Sequence, residues 1–109
     1  MRPTPAVRDA LKRHILTYDN TKFTEVIRCL DGGMTTQQIA NHLGWEEALA
    51  RNYERGVDAI LNGNMDFSSS PSHAGKAASK VRRLMRNPME PEVEQYLLGL
   101  LTEYEGQAG

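Results

Sequence analysis

A chain of 109 residues, 39% hydrophobic and 6% aromatic, is one domain, or a small domain with an appendage, around a lean aliphatic core. Its formal charge of −1 exerts no global pull on nucleic acid or an acidic membrane and argues against a non-specific DNA coater. The lone cysteine, Cys29, excludes an intramolecular disulfide and a cysteine-based zinc site. No apolar run approaches the roughly 20 residues that span a bilayer. With charges throughout MRPTPAVRDALKRH and no secretory-signal core, a cytoplasmic protein is expected.

Helical periodicity runs through the chain and no alternating β-branched run occurs, so an all-α fold is expected. The first helix begins after Thr4, with Pro5 at a position where a missing N–H does no harm. Its stripe is Val7, Leu11, Ile15 and Tyr18, and Asp19-Asn20 ends it. A second helix, from Thr21 to Leu30, carries Phe23, Val26, Ile27 and Leu30, with Cys29 as a small buried hydrophobe. Asp31-Gly32-Gly33 stops it. Thr35 and Gln38 fit a capping box that opens a third helix, which runs to Leu43. Gly44 breaks this helix, and a longer one spans Glu46 to Leu61 with a stripe of Ala50, Tyr53, Val57 and Ile60.

Residues 62–75, NGNMDFSSSPSHAG, read as a linker or long loop. The segment that follows holds Lys76, Lys80, Arg82, Arg83 and Arg86 with no acid, and Asn87-Pro88 closes it. The last helix, to about residue 105, places Glu92 and Glu94 near its start, where the helix dipole favours them. Its stripe is Val93, Leu97, Leu100, Leu101 and Tyr104. The expected organisation is a first domain over 1–61, a linker, and a C-terminal extension over 76–105. That extension is a helical hairpin of basic and acidic helices, or an element that pairs two copies of the chain.

Residues 34–61 carry the most information. Ile39-Ala40, Gly44 and Trp45 form a recurrent pattern. The alanine is small where two helices cross, the glycine makes the turn, and the apolar residue fills the space beside it. With Thr35-Thr36 before it and RGVDAIL after it, the segment resembles the helix-turn-helix of LuxR-type regulators and of the promoter-reading C-terminal domain of sigma factors. The motif spans 35–61. The resemblance implies a small bacterial or phage transcription regulator that binds double-stranded DNA, with helix 46–61 in the major groove. Arg51 and Arg55 would pair with guanine and Asn52 with adenine. Thr35, Thr36 and Gln37 would touch phosphate, with His42 near the backbone. The first 61 residues hold as many acidic as basic side chains, so affinity would need help from Lys76, Lys80, Arg82 and Arg83 on flanking phosphates, or from dimerisation through the C-terminal helices.

Glu46 and Glu47 depart from that family, which usually has Ser, Thr or Pro there. They are helix-terminal acids favoured by the dipole, readers of cytosine N4, or part of a surface turned away from DNA. The last option defines the rival reading, a protein-interaction module that offers Glu46, Glu47, Glu54 and the acidic tail to a basic surface of the transcription or phage-assembly machinery. Catalysis is not expected. His14, His42 and His73 are dispersed, the paired carboxylates lack a nucleophile, and neither a phosphate loop nor a metal-ligand spacing is present, so no cofactor is implied.

Overall fold

The computed structural model describes residues 2–64 and 71–108. They form six helices and no strand: α1 (Pro5–Tyr18), α2 (Lys22–Asp31), α3 (Thr36–Leu43), α4 (Glu47–Asn62), α5 (Pro71–Leu84) and α6 (Pro91–Ala108). The protein is all-α.

Local chemistry sets the ends of these helices. The Thr4 hydroxyl accepts a hydrogen bond from the Val7 N–H at 3.2 Å, with Pro5 following it. Asp31 extends α2 by one residue beyond the expected Leu30, and Gly33 takes the left-handed φ of 80° that releases the chain. Both halves of the capping box on α3 are made: the Gln38 N–H donates to Thr35 Oγ1 at 3.2 Å, and the Thr35 N–H to Gln38 Oε1 at 2.8 Å. At its other end Gly44 adopts φ 71°, and the Ala40 carbonyl accepts from the N–H groups of Gly44 and Trp45. The next helix begins one residue later than expected, at Glu47, and runs one further, to Asn62.

The stretch expected as linker is thus partly helical. Residue 62 closes α4 and 71–75 are the first turns of α5; 65–70 lie outside the described residues. A proline at the first helical position costs α5 nothing. Ala74 is fully buried, so packing holds a Ser-, His- and Gly-containing turn that propensity alone does not favour.

Buried side chains from all six helices form one cluster. Leu11 and Ile15 of α1 reach it, as do Phe23, Val26 and Ile27 of α2. Tyr18, expected in the α1 stripe, is instead 52% exposed; the helix ends there, and its ring lies against His14 with centroids 4.9 Å apart. His14 takes the inward place, with Nε2 2.9 Å from the carbonyl oxygen of Leu84 at the end of α5. Val93, Leu97, Leu100 and Tyr104 of α6 are buried, and the most extensive helix pair is α5 with α6. The Tyr96 hydroxyl of α6 donates to the Ile60 carbonyl of α4 at 2.7 Å. Burial pushes the Tyr96 and Tyr104 phenols well above the ordinary tyrosine range, and Glu103 adds to the effect.

One polar knot is buried among these helices. Asp19 caps the C-terminal end of α1, and its side chain is 5% exposed. Lys80 of α5 reaches it at 2.8 Å and also donates to Thr21 Oγ1 at 3.0 Å. The Thr21 and Thr24 hydroxyls sit 2.7 and 2.8 Å from the other carboxylate oxygen. Burial alone would raise the Asp19 pKa, but these three hydrogen-bond donors and the Lys80 charge outweigh it and hold the carboxyl below its ordinary value.

No helix among the described residues is long and apolar enough to cross a membrane.

Candidate nucleic-acid interface

The outer face of α4 follows from its inner one. Ala50, Val57, Ile60 and Leu61 point into the core, which leaves Ala48, Arg51, Asn52 and Arg55 exposed along the opposite stripe. Tyr53 is half-buried at the edge, its ring 4.6 Å from that of Trp45, which fills the corner after Gly44. The three side chains expected to read bases therefore share one solvent-facing stripe. Arg51 also contacts Glu47 one turn earlier, at 3.1 Å. Both partners are about half exposed, so the pair is worth only about 0.3–0.5 kcal/mol and leaves the guanidinium available.

The residues at the start of α3 are engaged differently from one another. Thr35 caps its own helix, and Gln37 is exposed. Thr36, expected at phosphate, instead donates its hydroxyl to the Glu54 carboxylate of α4, at 2.8 and 3.0 Å to the two oxygens. That bond ties α3 to α4 and places a carboxylate beside the expected phosphate contact. His42 is exposed. Glu46 sits at the N-cap position of α4 but makes no side-chain capping bond. Of the two adjacent acids, only Glu47 has a partner among these contacts.

Between α4 and α5 runs a groove of about 440 Å³. Phe23, Leu49, Tyr53 and Ile60 supply its apolar wall and floor. Arg55 and Asn52 of α4 stand on one side, with Lys76, Lys80 and Arg83 of α5 on the other, and no Asp or Glu is among the described residues that line it. The structure thus brings one cation of α4, Arg55, beside three of α5 that lie far from it in sequence. Lys80 is already neutralised by Asp19, and its ammonium also lies 4.9 Å from the centre of the Phe23 ring. Arg82 departs from the expected group: it faces α6 and pairs with Glu105. The helical period explains this, because residues 76, 80 and 83 share a face of α5 and residue 82 falls off it. His73, within the stretch whose composition predicts a linker, also lines the groove.

Among the described residues no group of three or more His, Cys, Asp or Glu side chains could hold a metal ion. The chain matches no protein-family profile, no curated protein and no solved structure.

Proposed function

We propose that the protein binds double-stranded DNA, with α4 as the reading helix of a helix-turn-helix formed by α3, the Gly44 turn and α4. The observation that carries this reading is the exposed stripe of Arg51, Asn52 and Arg55, with Lys76 and Arg83 across the groove from it. Two arginines one turn apart suit bidentate contacts to guanine, and an asparagine beside them suits adenine. In this reading the α5 cations contact flanking phosphates, and contacts of that kind position a protein without specifying sequence.

Electrostatics set the expected strength. With about two to three phosphates neutralised per protomer, log K falls with log salt at a slope of about −2 to −3. Binding is therefore weak for a single copy and strengthens if two copies engage adjacent half-sites.

The test is fluorescence anisotropy on duplexes selected from a random-sequence pool. Arg51→Ala and Arg55→Ala should each weaken the selected site by about 5- to 150-fold, the equivalent of about 1–3 kcal/mol, and relax preference at one base pair. Lys76→Ala should weaken all duplexes alike and reduce the salt slope by about 1. An absence of salt-sensitive binding at low ionic strength refutes the reading. One observation favours the rival protein-interaction module: Glu46 is exposed, beside Glu47, and makes no capping bond.

A further inference from the structure

The groove between α4 and α5 has a floor that duplex DNA does not fill. A sugar–phosphate backbone brings charge to its rim but no apolar side chain to cover Leu49 and the half-buried Tyr53, the open apolar part of its lining. Leu49 is 41% exposed, one of only three large hydrophobic side chains so open among the described residues.

From this we propose that the groove receives an acidic amphipathic helix of a partner protein, leucine-like side chains down and carboxylates out. Charge complementarity selects the occupant. Lys76 and Arg83 are seven residues apart on one face of α5, which sets their backbone positions about 10.5 Å apart along the axis. Arg55 stands opposite them on α4. None of the three forms an ion pair with a described residue. A docked helix with acids at i and i+7 repeats the Lys76–Arg83 spacing, and apolar residues at i+3 and i+4 face the floor between them. A basic or neutral helix would leave these cations unpaired as their water is removed, which disfavours it.

This inference does not rest on the DNA reading, and Arg51 separates the two because it is not among the groove residues. Trp45 is the only tryptophan in the chain and stacks on Tyr53 of the groove, so its fluorescence reports occupancy. The probe is a synthetic helix of about fifteen residues with glutamates at i and i+7 and leucines at i+3 and i+4. It should shift the Trp45 emission saturably. Lys76→Glu and Arg83→Glu, both changes at exposed positions checked by circular dichroism, should each weaken it by about tenfold or more. The same peptide with lysines in place of glutamates should bind the doubly reversed protein better than the wild type. Arg51→Ala should leave peptide affinity unchanged.

Equal binding of a scrambled peptide, or indifference to both reversals, overturns the proposal. So does a concentration-dependent dimer of the chain alone, seen by sedimentation and abolished by Lys76→Glu, since that result gives the groove to a second copy. Loss of DNA binding with peptide binding intact overturns only the DNA reading.

Discussion

Replacing Lys80 with methionine removes the ammonium that faces the buried Asp19 carboxylate and keeps a side chain of similar length beside Phe23. Asp19 is 5% exposed and Lys80 14%, so water compensates little. Loss of one partner from a buried pair costs about 3–5 kcal/mol. Here Asp19 keeps two hydroxyl neighbours, Thr21 and Thr24, which places the expected loss nearer about 2–3 kcal/mol, as hydrogen bonds to a charged group are worth about 1.5–3 kcal/mol. For a domain of this size that lowers Tm by roughly 10–20 °C. Urea unfolding should show a lower midpoint at unchanged m-value. The double change Asp19→Asn with Lys80→Met should regain part of the loss, because no buried charge is then left alone.

The pH dependence provides a second check. The folded Asp19 carboxyl titrates below its ordinary value, so its contribution is present above the unfolded pKa of about 3.9. It is lost as pH falls from there through the folded value. The gap between wild type and Lys80→Met should therefore be full at neutral pH and shrink as pH falls through the folded Asp19 values of the two proteins, since the unfolded state is common to both. A loss under about 1 kcal/mol at neutral pH, or a gap that stays constant into acid, refutes the account. Because this ammonium is committed to Asp19, Lys80→Met should also weaken DNA binding less than Lys76→Ala does, compared at equal folded fraction.

Three further outcomes are expected. Gly44→Ala meets no atom within 4 Å, yet it forces a left-handed φ on an L-residue and should cost about 1–2 kcal/mol in urea titration; a neutral result would mean that the α3–α4 turn relaxes. Tyr96→Phe leaves the buried Ile60 carbonyl without its hydroxyl donor and should cost about 1–2 kcal/mol, with faster hydrogen exchange at the α4–α6 contact as the local readout. Glu46→Lys with Glu47→Lys should raise affinity for random duplexes and steepen the salt slope if α4 faces DNA; unchanged affinity with loss of a protein partner would support the rival module.

The legible features of this chain were those encoded within a few residues. Thr35 and Gln38 announce a capping box because both partners lie in one turn, and Gly44 announces a turn because few other residues take that backbone. Arg51, Asn52 and Arg55 share an exposed stripe by helical period alone. The separation of Arg82 from Lys76, Lys80 and Arg83 follows from the same arithmetic, since these four basic residues of one helix do not all face one way. Long-range partners were not legible. Asp19 read as a helix terminator, and only the fold brings it a lysine 61 positions away. Residues 71–75 looked like linker because Ser, His and Gly disfavour helix, and the burial of Ala74 that overrides this is a tertiary fact.

The contact between His14 and the Leu84 carbonyl joins residues 70 positions apart, and α1 also packs against α6. During synthesis the α3–α4 pair can close on local contacts soon after it leaves the ribosome, but α1 must wait for α5 and α6, which follow it in the chain. Until those helices emerge, the side of α1 that they cover stays open to solvent.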